Sequence, residues 1–322
     1  MNPAFSVIFL TTLIGVGQGF FLALVAGEAV GMTGAVPMPD GRGFFSLGST
    51  VVLLFLVGGL VASFFHLGHP KRAWRAATMW RTSWLSRECI ALPLFMALVC
   101  LYGVTHYFGW RDMPGPGLHV AVALITLSAV ALCITLFICT GMIYVCIRFL
   151  QEWSSSLTIV NFILLGCASG TTLAAVFAFI AAPQLVSGYV MAAIFLTALA
   201  LATRLASLCR NARLKPTSTL QTATGIRHPR IVQKSQGAMG GSFNTRHFFH
   251  GKSALFFRCI KWIFLVLVFP VPAVLLSGSL LVASLWLLAG AFVLQYAGLI
   301  AERWFFFAQA NHPQNLYYQR IS

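Results

Sequence analysis

The side chains most able to do chemistry in this chain are concentrated in residues 66–88, HLGHPKRAWRAATMWRTSWLSRE. This stretch holds five of the chain's 21 Lys and Arg residues, three of its eight Trp, two His and one carboxylate. Long apolar runs flank it, so that His66 ends one run and Glu88 begins the next. A histidine can exchange a proton near neutral pH, and a carboxyl partly removed from water can be tuned to do the same. His66 and Glu88 are therefore the leading candidates for proton transfer.

The composition indicates the kind of scaffold that must position these residues. The 322 residues are 59% hydrophobic and only 8% charged, whereas soluble domains carry roughly 25% charged residues. Apolar runs of the length needed to cross a bilayer, about 20 residues, predict an all-α integral membrane protein with a bundle of eight transmembrane helices. The predicted spans are 5–26, 44–65, 88–109, 119–147, 157–182, 188–208, 259–276 and 279–301, the last two joined by a very short turn at residues 277–278.

The distribution of charge predicts the topology. With eight spans, both termini and the loops after spans two, four and six share one face, and that face carries 19 of the 21 Lys and Arg residues. The positive-inside rule places this face, including both termini, in the cytoplasm. The net charge of +15 therefore reflects membrane topology, and we expect no nucleic acid partner.

The chain is predicted to form a single polytopic membrane domain over residues 1–322, with one sizeable basic cytoplasmic loop at residues 209–253. This loop is polar and lacks the apolar residues needed to fold alone. We expect it to order against a partner subunit or against the anionic headgroups of membrane lipids. The candidate docking residues are Arg227, Arg230, Lys234, Arg246 and Arg303.

Polar side chains from several span ends are predicted to meet at the cytoplasmic leaflet, because ionisable groups at membrane depth are costly and usually functional. Such a pocket suits an amphipathic ligand with a polar head and a long apolar tail, and quinones are such ligands. A simpler alternative is that His66 and Glu88 only satisfy helix ends and that Gln18 only packs between helices. The candidate quinone-binding residues are His66, Glu88, Arg72, Gln18, Tyr144, Arg148 and Trp74.

The cysteines and histidines argue against a redox centre in this chain. None of the eight Cys forms a C-x-x-C pair, which disfavours zinc and iron–sulfur clusters. Bis-histidine haem would need paired His at membrane depth, and four of the eight His lie in the basic loop or the C-terminal tail. Electrons would therefore come from another polypeptide.

The runs HLGHPKRAW and SWLSRE resemble the hallmark of the dimethyl sulfoxide reductase type of membrane anchor, in which HLG-x-P-x-RA precedes LS-x-E. This resemblance implies a haem-free, eight-helix subunit of a bacterial inner membrane complex. It also implies a four-cluster iron–sulfur subunit and a molybdopterin catalytic subunit as partners, with His66 and Glu88 at the quinol site. The basic loop and the tail AERWFFFAQANHPQNLYYQ are more similar to anchors of cytoplasmic sulfite dehydrogenases, in which electrons run from sulfite to quinone.

Two other functions remain as alternatives. One is an anchor that works in the opposite direction and oxidises quinol for a dimethyl sulfoxide or related reductase. The other is a secondary transporter, which the absence of mid-span charges and of broken helix pairs disfavours. The sequence does not separate menaquinone from ubiquinone.

Overall fold

The computed structural model describes residues 1–111, 113, 116–216, 218–232, 234, 248–313 and 315. Within this part of the chain, eight helical spans are long and apolar enough to cross a membrane. The expected all-α membrane bundle of eight helices is confirmed. The helices are α1 (Phe5–Met32), α2 (Leu47–Phe64), α3 (Trp84–Tyr107), α4 (Pro116–Val145), α5 (Ser156–Ala181), α6 (Val186–Ala212), α7 (Leu220–Thr224), α8 (Ala254–Val268), α9 (Pro270–Leu281) and α10 (Leu285–Ala308).

The seventh span is the place where the structure departs most from the sequence-based prediction. It consists of α8 and α9, which are separated at Phe269, so this span is a broken helix. Pro270 and Pro272 lack the N–H groups that would continue the hydrogen-bond ladder. The turn that follows lies at residues 282–284 and not at 277–278, because α9 continues to Leu281.

Gln295 on α10 compensates for this break. An unbroken helix would pair the carbonyl of Val268 with the N–H of residue 272, which is a proline. The amide nitrogen of Gln295 lies 3.3 Å from that carbonyl oxygen and 3.2 Å from the hydroxyl of Thr197 on α6. A buried carbonyl at membrane depth is thereby satisfied by a side chain of the neighbouring span.

Helices α1 and α5 cross in close contact through small residues. Gly15 and Gly19 on α1, and Gly166 and Gly170 on α5, form two G-x-x-x-G pairs, a pattern that lets membrane helices approach closely. A Cβ at Gly19 would overlap the Gly166 carbonyl, and one at Gly170 would overlap the backbone of Phe20. This crossing fixes the depth and rotation of α1, and hence of Gln18.

The start of α1 and the end of α10 lie at one face of the bundle. The backbone nitrogen of Met1 donates to the carbonyl of Ala310 at 2.8 Å, which places the start of α1 beside the end of α10. The connections that follow α2, α4 and α6 reach the same face, which we call the terminal face. The connection after α2 contains a 3-10 helix, Pro70–Ala77, in which no residue is buried.

Candidate functional site

A cavity lies between α1, α3, α4, α5 and α10, on the terminal-face side of the bundle. Glu88 is the fifth residue of α3, and Arg303 lies five residues before the end of α10. At 1.5 Å per residue, both lie about 6–8 Å inside the helix ends. The cavity is narrow, with about 20 Å³ available to the centres of water molecules, which is room for one or two waters. Its lining residues are Thr11, Thr12, Ile14, Gly15, Gln18, Glu88, Phe137, Thr140, Phe162, Leu165, Gly166, Ser169, Leu299 and Arg303.

Glu88 supplies the carboxyl group of the cavity. Its side chain is 9% exposed, and the hydroxyl of Thr140 on α4 donates to Oε1 at 2.5 Å. Ser83 caps the start of α3 by accepting from the N–H of Ser86 at 3.3 Å. This cap fixes the first turn of α3 and with it the position of Glu88. The pair of Thr140 and Glu88 can hold a proton or a hydrogen-bonding ligand inside the bundle.

Gln18 supplies an amide to the cavity from α1. It is 1% exposed, and its Nε2 donates to the carbonyl of Cys133 on α4 at 2.8 Å. The amide nitrogen is thereby held on α4, while the side chain lines the cavity. Gln18 and Glu88, which were predicted from sequence on separate spans, are brought to one cavity.

Arg303 supplies the positive charge. Its guanidinium carbon lies 3.7 Å from the centre of the Phe162 ring, and its Nε lies 3.4 Å from Oε2 of Glu302. The residue is 4% exposed. Arg303 was expected from sequence to dock a partner, but the structure places it inside the bundle at the cavity wall.

Tyr144 packs behind this wall in an aromatic cluster. Its ring is stacked on Phe162 with centroids 5.5 Å apart, and it meets Trp153 at 5.4 Å and Phe306 at 5.4 Å. The indole nitrogen of Trp153 donates to the carbonyl of Phe306 at 2.9 Å. Tyr144 therefore packs against the Phe162 ring, over which the Arg303 guanidinium lies. Tyr144 does not line the cavity itself.

The remaining predicted site residues lie outside the cavity at the terminal face. His66, Arg72, Trp74 and Arg148 are all exposed there. His66 is exposed, but the part of its ring that packs against the chain is shielded from water, and this desolvation lowers its pKa from the ordinary value of 6.5. Of the predicted docking residues, Arg227, Arg230 and Lys234 are exposed on the loop between α6 and α8. Arg246 lies outside the described residues.

Sequence reasoning missed two participants, Thr140 and Arg204. Thr140 gave no signal, because only the packing of α4 on α3 brings it to Glu88. Arg204 was counted only among the 19 cations of the cytoplasmic face, but it lies inside α6 and is 1% exposed. Its Nε lies 2.8 Å from Oε1 of Glu302. The signal that could have found it is a cation within an apolar run, ALALATRLASL.

A second polar cluster near the opposite face was also missed. Glu28, near the end of α1, accepts from the hydroxyl of Tyr102 at 2.9 Å and pairs with Arg111. Nε2 of His106 lies 3.3 Å from the same carboxylate. The cluster ties the end of α1 to the end of α3. Among the described residues, no group of three or more His, Cys, Asp or Glu is arranged to hold a metal ion.

Comparison with known proteins gives two matches that extend along the chain. The family described as DMSO reductase anchor subunit (DmsC) matches residues 5–308. A sulfite dehydrogenase subunit of Allochromatium vinosum is 54% identical to this chain over 327 aligned residues, and the alignment covers 100% of both proteins.

Proposed function

The chain belongs to the DMSO reductase anchor subunit (DmsC) family, and from that premise we propose that it anchors a sulfite-oxidising complex and passes its electrons to quinone in the membrane. Family membership confirms the resemblance that the 66–88 region predicted. The chain is a multi-pass membrane anchor subunit. The identity of 54% over full length to a subunit of a sulfite dehydrogenase supports sulfite as the electron donor of the complex.

The observation that carries the quinone proposal is the convergence of Glu88, Gln18 and Arg303 on one cavity. A quinone takes up two electrons and two protons, and it has a carbonyl at each end of its ring. The guanidinium of Arg303 can donate to one carbonyl oxygen, and the carboxyl of Glu88 can deliver a proton to a carbonyl oxygen. The amide of Gln18 offers a further polar contact. Apolar neighbours such as Leu165 and Leu299 suit the ring faces.

The narrowness of the cavity sets a condition on binding. The present volume holds water but not a quinone ring, so side chains of the wall must move to admit the head group. Phe137 is the bulky wall residue that can turn aside by side-chain rotation, whereas Phe162 stays stacked on Tyr144 and under Arg303. We expect binding to be accompanied by this local rearrangement.

Residues at the terminal face connect the cavity with water and with partners. His66, which is neutral at neutral pH, accepts protons from water and passes them towards Glu88. Tyr144 supports Phe162, while Arg72, Trp74 and Arg148 hold the segment above the cavity against the partner or the lipid headgroups.

An electron-transfer subunit with four iron–sulfur clusters docks on exposed cations, including Arg227, Arg230 and Lys234, together with Arg246. A molybdopterin subunit oxidises sulfite. By the positive-inside rule, this face is cytoplasmic in the bacterial inner membrane.

The proposal is tested in the intact membrane complex by comparing two electron acceptors. We expect Glu88→Gln to abolish sulfite oxidation coupled to quinone while the activity with an artificial water-soluble acceptor is retained. The matched control is Glu152→Gln, which changes a carboxylate at the same face that bonds to Asn311 at 3.2 Å and leaves the cavity intact. Normal quinone coupling in Glu88→Gln would remove this residue from the mechanism.

A further inference from the structure

Three charged side chains lie together inside the bundle, directly behind the cavity. Glu302 on α10 stands between two cations, Arg204 on α6 and the neighbouring Arg303. The ion-pair distances are 2.8 Å to Arg204 and 3.4 Å to Arg303, and no member of this triad is more than 4% exposed. Only Arg303 reaches the cavity wall.

The charges of the triad do not cancel. When Glu88 carries the proton that it delivers to the quinone, two guanidinium groups and one carboxylate leave one net positive charge in the interior, where an uncompensated charge is costly. Glu302 and Arg303 alone would form a neutral pair, so a purely structural clamp has no need of Arg204. Arg204 is surrounded by the rings of Phe264 and Phe305, at 5.5 and 6.0 Å from its guanidinium carbon. Its Nη2 has no hydrogen-bond partner among the described residues.

The net positive charge of the triad is accessible to a ligand in the cavity, because Arg303 forms part of the cavity wall. Arg303 lines the cavity together with Glu88, and its guanidinium is fixed on the Phe162 ring at 3.7 Å. In a medium of low dielectric constant, a fixed positive charge stabilises nearby negative charge strongly. Negative charge develops on a quinone head group when an electron arrives before its proton.

We infer that Arg204 is a positioning residue of the quinone site. It balances Glu302, so that the charge of Arg303 remains available to an anionic head group in the cavity. The inference rests on the proposed quinone function and specifies what the cavity prefers, which is a negatively charged ring oxygen. Without Arg204, the carboxylate of Glu302 would neutralise Arg303 and draw it away from the ligand.

Two matched ligands test this preference in the purified, detergent-solubilised complex. The first is 2-hydroxy-3-undecyl-1,4-naphthoquinone, which is an enolate anion at neutral pH, and the second is its neutral 2-methyl counterpart. Fluorescence quenching gives a Kd for each ligand without any turnover. We expect Arg204→Met to weaken binding of the anion by about tenfold, which is about 1.4 kcal/mol, and to change the Kd of the neutral ligand far less.

Two further variants separate charge from folding. Arg204→Lys keeps the charge and is expected to retain most of the affinity for the anion. The double variant Arg204→Met/Glu302→Gln removes both partners and leaves Arg303 as the only charge of the triad, so it is expected to regain affinity for the anion. The inference is overturned if Arg204→Met weakens both ligands equally, or if the double variant is no better than Arg204→Met. If the unmodified complex binds neither ligand, the proposed quinone function fails first.

Discussion

Thr140 donates a hydrogen bond of 2.5 Å to the Glu88 carboxylate and so joins α4 to α3 inside the bundle. Replacing this hydroxyl by a methyl group of the same size, Thr140→Val, removes the donor and leaves the packing nearly unchanged. Because removal of the donor leaves a buried carboxyl oxygen of Glu88 unpaired, which costs about 1–3 kcal/mol, we expect kcat/KM for quinone to fall about tenfold. Activity with a water-soluble acceptor serves as the internal reference.

Thr140→Ser is the control for that measurement, since it keeps the hydroxyl and deletes only a methyl group. It is expected to retain most of the quinone-coupled rate. Equal losses in the serine and valine variants would show that packing at position 140, and not the hydrogen bond to Glu88 alone, sets the quinone-coupled rate.

The close crossing of α1 and α5 predicts a position-specific effect of added methyl groups. Gly19→Ala places a Cβ on the backbone of α5 at Gly166, so the two helices must separate. Overpacking of this kind costs about 1–3 kcal/mol, and we expect a lower apparent Tm and less assembled complex. Gly188→Ala in α6, where a Cβ meets no atom within 4 Å, is the control. A normal Tm in Gly19→Ala would contradict the observed helix crossing.

The broken seventh span allows a rescue experiment. Gln295→Leu leaves the carbonyl of Val268 without the amide donor, and a buried unpaired carbonyl costs about 1–3 kcal/mol. We expect a lower apparent Tm in thermal unfolding of the complex. Adding Pro272→Ala restores the N–H that an unbroken helix would use, so the double variant should lose less stability than the sum of the two single changes predicts. Strict additivity would mean that Gln295 does not compensate for Pro272.

The location of the site could be predicted from sequence, but the contacts between its residues could not. Spans follow from hydropathy, and Glu88 and Gln18 could be found because a polar residue stands out in an apolar run. The start of α9 at Pro270 and its continuation to Leu281 could not be placed, because the prolines interrupt one span without ending it. The roles of Arg204 and Thr140 depend on how α6 meets α10 and how α4 meets α3, and the apolar runs do not determine such packing.

The pH dependence of quinone coupling reports on His66. Partial burial lowers the pKa of this histidine below its ordinary value of 6.5, so the neutral, proton-accepting form persists into mildly acidic solution. Coupling should be complete above that lowered pKa and should be lost as the pH falls through it. We therefore expect an acid limb below pH 6.5 in kcat/KM for quinone and the loss of this limb in His66→Gln. An identical acid limb in His66→Gln would assign the titration to another group.

The binding place of the quinone ring is the central claim, and photoaffinity labelling measures it most directly. An azido-substituted quinone is activated by light on the intact complex, and the labelled residues are identified by mass spectrometry. We predict labels on the cavity walls formed by α1, α3 and α10, near Gln18, Glu88 and Leu299, that excess unlabelled quinone suppresses and that Glu88→Gln weakens. Competable labelling confined to the exposed segment Pro70–Ala77, with the cavity walls unlabelled, would contradict the account.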